Sequence, residues 1–132
     1  MAEVTIAALQ LGTDPAGTAA TLDNILAFEP QVAGCDLLVM PETLLGGYPK
    51  GADFGARVGY RTDAGRDEFL QYYQQAVDLD GKEVTALCGL AKACSAAIVI
   101  GVVERGGSTL YCTALFISAA GKLVAKHRKL VP

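Results

Sequence analysis

Residues 35–49 read CDLLVMPETLLGGYP, and the fold reading grows outward from this stretch. Residues 35–40 are a short apolar run, and Pro41, which cannot donate to a sheet ladder, closes them off as a buried strand. Glu42 then stands just past the strand's C-terminal end, where open α/β sheets place their active sites. Position alone also suits a solvated or helix-capping carboxylate. Residues 43–65 are rich in Gly, Pro and Asp with little periodicity, which reads as one long loop of the kind that is often functional. Its first part, Thr43-Leu44-Leu45-Gly46-Gly47-Tyr48-Pro49, is suited to walling a pocket, with Tyr48 offering an aromatic face and a hydroxyl.

Upstream, residues 4–11 (VTIAALQL) form a β-branched apolar run ended by Gly12, expected as a first strand buried on both faces. Asp14-Pro15 supplies a cap and a proline at the first helical position, and Ala19, Leu22, Ile25 and Leu26 follow at helical spacing until Pro30. A strand-helix-strand step of this length implies parallel neighbours joined by a right-handed crossover. Downstream, a helix is expected from Arg66 with Phe69, Tyr72, Tyr73, Ala76 and Val77 on one face. A second follows Asp80-Gly81, with Val84, Leu87, Cys88, Ala91 and Cys94 aligned. Residues 96–103, 110–118 and 123–129 read as three more strands, turning at Gly106-Gly107 and at Ala120-Gly121. The order predicts an α/β layered fold with a mixed sheet. The chain stops at Pro132 directly after a strand whose edge needs cover, so residues 1–132 are expected to be the N-terminal portion of a single domain continued elsewhere.

Composition narrows the function classes. A formal net charge of -3 gives no electrostatic footprint for nucleic acid, although Lys126-His127-Arg128-Lys129 is locally basic. No apolar run is long enough to cross a bilayer and the N-terminus lacks a basic signal-peptide region, which points to a cytoplasmic protein with no membrane partner. Hydrophobic residues make up 52% of the chain, a high share for its length, so part of the apolar surface is expected to have a partner. The four cysteines, Cys35, Cys88, Cys94 and Cys112, show no CxxC pair and no metal-ligand spacing, and are expected as free buried thiols. His127, the single histidine, reads as structural. Lys129 ends the last strand beside Leu130 and Val131; alone, it also suits a lysine whose stem lies on apolar surface.

Taken together, Met40-Pro41-Glu42 with Gly46-Gly47-Tyr48-Pro49, and later Lys126-His127-Arg128-Lys129-Leu130-Val131-Pro132, resemble the first two signature blocks of the nitrilase family of carbon-nitrogen hydrolases. Ala7-Ala8-Leu9-Gln10, Ile100-Gly101 and Gly121-Lys122 also sit where that family has them, and the His-Arg-Lys-Leu-x-Pro form resembles its nitrilase branch. The resemblance implies part of an α-β-β-α sandwich, a mixed sheet with helices on one face. It implies hydrolysis of a small nitrile to a carboxylic acid and ammonia by a Glu-Lys-Cys triad, through a thioimidate and a thioester, with no metal and no cofactor. Glu42 would be the general base, Lys129 the catalytic lysine and Tyr48 a substrate contact. In the family the nucleophile follows a later strand in a Cys-Trp-Glu type turn, a setting none of the four cysteines has. It is therefore expected beyond Pro132, on a C-terminal segment or second chain that completes the fold, and this polypeptide alone is expected to be inactive. The resemblance also implies a homo-oligomer. An amidase or N-carbamoyl hydrolase, or a non-catalytic assembly module, are the rival readings.

Overall fold

The computed structural model describes residues 2–57 and 60–131. Its strands are β1 (Ile6–Ala8), β2 (Leu37–Val39), β3 (Ala56–Arg57), β4 (Tyr60–Arg61), β5 (Ala97–Gly106), β6 (Thr109–Ile117) and β7 (Leu123–Arg128). Its helices are α1 (Thr18–Leu26), α2 (Glu29–Val32), α3 (Asp63–Gln75) and α4 (Lys82–Cys94). The main sheet runs β1-β2-β5-β6-β7, with β3 and β4 forming a separate two-stranded ribbon. β1, β2 and β5 are mutually parallel, while β5, β6 and β7 form an antiparallel meander, so the sheet is mixed as the element order predicts.

Side-chain alternation sorts the sheet into two faces. Ile98, Ile100 and Val102 of β5 and Leu115 and Ile117 of β6 share one face, in register as Ile98↔Ile117 and Ile100↔Leu115. There they join Leu22 and Ile25 of α1, Val32 of α2 and Val84, Leu87, Leu90, Ala91 and Cys94 of α4 in one buried cluster. α4 is returned onto the sheet by Ser95, whose left-handed conformation (φ 54°) ends the helix while its neighbour Ala96 donates to Ala91 O at 3.0 Å. The other face is less covered, with Phe116 of β6 partly exposed.

Several expectations are corrected. β1 is shorter than residues 4–11 and is not buried on both faces: it is an edge strand, with Ile6 61% exposed. Asp14-Pro15 does not start α1. Asp14 instead closes a turn, its carbonyl accepting from Gly17 N and its side chain from Ala16 N, and the helix begins after Gly17. Pro30 lies inside the short α2 near its start, where a missing N–H costs nothing. Residues 43–65 are not one structureless loop, because Leu45 bridges Val102 and β3 pairs with β4. α3 starts earlier than Arg66, capped by the Thr62 side chain, and stops at Gln75. Ala76 and Val77 therefore continue as extended chain, with Val77 bridging Glu104 and Arg105 donating to Ala76 O and the Asp78 carboxylate.

Candidate active site

The turn that carries Glu42 is made by β5 beneath it. Met40 N donates to Val99 O at 2.9 Å and Gly101 N to Pro41 O at 3.0 Å, so the chain leaves β2 still attached to β5. It reattaches at Leu45, whose carbonyl accepts from Val103 N at 2.8 Å. Residues 42–44 arch between these anchors, and Thr43 takes a positive φ of 49°. The arch passes so close over Gly101 that a Cβ there would meet Glu42 Cα at 2.4 Å and Thr43 N at 2.6 Å. Gly101 is thus the position at which a side chain would displace the Glu42 backbone.

Lys129 reaches the same point from the edge strand on the far side of β5 and β6. It follows β7 directly, and its backbone N–H donates to Cys112 O on β6 at 2.8 Å. Its Nζ donates to Glu42 Oε1 at 2.9 Å across a sequence separation of 87 residues. The pair is open to solvent, with side chains 44% and 48% exposed. The Lys129 hydrogen bond, then one from Cys112, hold the Glu42 carboxyl below its usual range, and the Glu42 bond raises the Lys129 ammonium. Both groups are therefore charged near neutral pH.

Cys112 is the residue that sequence reasoning missed. It is not a buried core thiol: half-buried, it donates from Sγ to Glu42 Oε1 at 3.2 Å. Burial first, then the neighbouring Glu42, push this thiol up, so it is a protonated donor. Alternation along β6 was the available signal, since Thr113 and Leu115 turn to the helix side and Cys112 must turn to the other. Cys35 and Cys94 are buried as expected, and all four thiols are free.

Two hollows flank Glu42. One, about 300 Å³, is lined by Met40, Val99, Gly101, Cys112, His127 and Lys129. The other, about 380 Å³, is lined by Tyr48, Pro49, Tyr72, Val103, Tyr111 and Lys129. Tyr48 is 64% exposed at its rim, whereas burial, with the nearby Cys112, pushes the Tyr72 hydroxyl up to about 12. His127, read from the sequence as structural, is an exposed residue of β7 that lines the first hollow. Among the described residues there is no group of three or more His, Cys, Asp or Glu able to hold a metal ion, and no helix long and apolar enough to cross a membrane.

On the opposite face, Glu104 of β5 is buried. Its carboxylate accepts from Thr113 Oγ1 at 2.8 Å, Lys126 Nζ at 2.5 Å and both Nε and a terminal nitrogen of Arg128, which also stacks 3.7 Å over Tyr111. Arg128 before all, aided by Lys126 and Thr113 against the cost of burial, lowers its carboxyl from 4.5 to about 2. This cluster ties the edge strand β7 across β6 to β5, in the register that delivers Lys129.

The carbon-nitrogen hydrolase family model matches residues 5–132. The chain is 46% identical to a nitrilase of Bradyrhizobium diazoefficiens over 96% of its own length and 40% of that protein's. It is 45% identical to a bifunctional nitrilase/nitrile hydratase of Lupinus angustifolius over 87% of its length and 34% of that protein's. The chain thus spans well under half of the curated relatives it matches. In fold it is similar to a CN-hydrolase superfamily protein of Xanthomonas campestris, solved with an arsenic adduct in its active site, at TM-score 0.71 and 24% identity, covering 98% of this chain and 41% of that one. An N-terminal amidase is also similar, at TM-score 0.69 and 18% identity over 96% of this chain and 28% of its own.

Proposed function

The chain belongs to the carbon-nitrogen hydrolase family, and from that premise we propose that it is the N-terminal portion of a nitrilase, supplying the base and the cation of a Glu-Lys-Cys triad whose nucleophile lies on a following segment or second chain. One observation carries this reading: Glu42 and Lys129, 87 residues apart, meet at 2.9 Å between two hollows at one end of the sheet. The identity of 46% to a nitrilase favours nitriles over amides as substrates.

In this reading Glu42, ionised and held by Lys129, takes the proton of the incoming thiol, because the thiolate and not the thiol attacks an electrophile as modest as a nitrile carbon. Attack forms the carbon–sulfur bond and moves one π pair of the nitrile to nitrogen, which takes up the proton, giving a thioimidate. The Lys129 ammonium stabilises the negative charge that develops there, more strongly once water is excluded. A first water adds to the thioimidate and ammonia leaves, giving a thioester; a second releases the carboxylic acid and the thiol. Tyr48 would contact the substrate's organic group at the rim. The exposed pair also explains why these residues alone are proposed to be inactive: a covering segment must both bring the thiol and dry the site. A cytoplasmic homo-oligomer without metal or cofactor is part of the same proposal.

The Cys112 thiol does not serve as the nucleophile in this proposal. It sits within the antiparallel meander rather than on a turn whose free N–H groups could receive developing charge. Ammonia release by the full-length protein from parallel panels of nitriles and amides tests the assignment. Nitriles are expected to be preferred, and Lys129→Ala and Lys129→Arg should each lower turnover by about a hundredfold or more, since Arg keeps the charge but not the geometry. Near-normal rates in Lys129→Ala would remove Lys129 from the mechanism, near-normal rates in Lys129→Arg would show that charge suffices without the ammonium's geometry, and a preference for amides would replace nitrilase by amidase.

A further inference from the structure

Cys112 is joined to both charged partners of the site. Its carbonyl accepts from the Lys129 backbone N–H at 2.8 Å, and its thiol donates to Glu42 Oε1 at 3.2 Å, the oxygen that also accepts Lys129 Nζ at 2.9 Å. Both donors thus converge on one oxygen, and Oε2 accepts no hydrogen bond from any described residue. A carboxylate gripped at one oxygen by two donors from different elements cannot swing freely, so its second oxygen keeps a fixed direction.

We propose that Cys112 is a positioning residue, whose thiol and carbonyl together hold Glu42 and Lys129 so that Glu42 Oε2 is the oxygen presented to the reacting thiol. The proposal rests on the reading of Glu42 as general base. It adds a thiol that acts by donating a hydrogen bond rather than by attacking substrate. The other ionisable groups lining the hollows around Glu42 are His127 on β7, Tyr111 on β6, Tyr72 on α3, and Tyr48 and Lys50 on the loop after β2. None of these donates to the Glu42 carboxylate, so removing the Cys112 thiol leaves Lys129 as its one described donor.

Two measurements on the full-length protein test this. The first is the pH profile of kcat/KM for a nitrile in Cys112→Ala and Cys112→Ser. Loss of the donor raises the Glu42 pKa, so Cys112→Ala should move the acid limb to higher pH and lower kcat by about tenfold with KM little changed, while the hydroxyl of Cys112→Ser restores both. Unchanged kcat and acid limb in Cys112→Ala, or Cys112→Ser behaving like Cys112→Ala, overturns the proposal. Complete loss of turnover in both variants overturns it too, because that is the behaviour of a nucleophile. The second is the rate of iodoacetamide alkylation at Cys112, resolved peptide by peptide by mass spectrometry, in Glu42→Gln. Removing the carboxylate charge should lower the thiol pKa and speed alkylation about threefold to tenfold at pH 8. This contact is read whatever reaction the protein performs: an unchanged rate defeats the positioning proposal alone, whereas faster alkylation in a protein inert toward nitriles defeats the nitrilase reading alone.

Discussion

Glu104 and Glu42 both pair with cations supplied from the end of β7, on opposite faces of one sheet. Glu104 is sealed, its side chain 3% exposed, and both oxygens are occupied by Thr113, Lys126 and Arg128. Glu42 is 48% exposed, and both of its donors fall on Oε1. A buried carboxylate with every lone pair engaged has its charge compensated and nothing left to offer, which is what holding an edge strand requires. One that lines two hollows and keeps an oxygen without a described donor is worse as an anchor and suited to taking a proton. Ion pairing alone therefore does not separate the anchoring carboxylate from the proposed base; the unused acceptor does.

Reciprocal substitutions in the full-length protein are the strongest way to break this contrast. Glu42→Gln should lower turnover by about a thousandfold while the thermal midpoint moves by no more than about 2 °C. Glu104→Ala should do the reverse, costing about 2–3 kcal/mol of stability by removing the buried carboxylate that ties Lys126 and Arg128 to β5, the two cations being exposed enough to regain water. If denaturant titration found Glu42→Gln the more destabilising of the two, the division of labour would be wrong.

Acid unfolding sharpens the same contrast. The Glu104 carboxyl falls from 4.5 to about 2 on folding, so its contribution is fully present above the unfolded value and disappears as pH drops through the folded one. That difference corresponds to about 3 kcal/mol lost between roughly pH 4.5 and 2. Urea midpoints across this range should fall more steeply for the wild type than for Glu104→Gln, and parallel curves would show that the cluster does not govern the acid limb of stability. Glu42, exposed on the other face, should leave little trace in the same curves.

A smaller effect is expected where the arch crosses β5. Gly101→Ala places a methyl 2.4 Å from Glu42 Cα and 2.6 Å from Pro41 O, and backbone atoms cannot rotate away as a side chain can. The arch must lift, at about 1–3 kcal/mol, carrying Glu42 away from Lys129 and lowering turnover, while the Glu104 cluster on the far face stays intact. Full activity in Gly101→Ala, assayed beside a melting curve, would mean that the arch has slack.

The sequence made legible what is periodic or local. Apolar runs located the central strands, and the helical spacing of Val84, Leu87, Ala91 and Cys94 located α4. Glu42 and Lys129 could be singled out because each follows a strand end. Hidden from the sequence was whatever depends on register. That Glu104 would face Lys126 and Arg128, or that Cys112 would touch both Glu42 and Lys129, follows from how β5, β6 and β7 align, and alternation gives faces but not offsets. β1 was misjudged for a related reason: VTIAALQL has the composition of an interior strand, but burial on both faces depends on a neighbouring layer, which composition does not specify.

The smallest prediction concerns the residue beside Glu42. Thr43 is 3% exposed, and its Oγ1 is buried without a hydrogen-bond partner among the described residues. A buried hydroxyl that has lost water and gained nothing costs free energy, and valine fills the same volume without it. Both residues are β-branched, so the strain of a φ near 49° is common to them and cancels in the comparison. Thr43→Val should therefore raise stability by up to about 1 kcal/mol, read as a higher urea midpoint with unchanged slope. Unchanged turnover would accompany it if the arch needs only its shape, as the anchoring at Pro41 and Leu45 implies. A gain in stability with a loss of turnover would instead place the Thr43 hydroxyl with Glu42 Oε2, as a second unused group kept at a cost for the chemistry beside it.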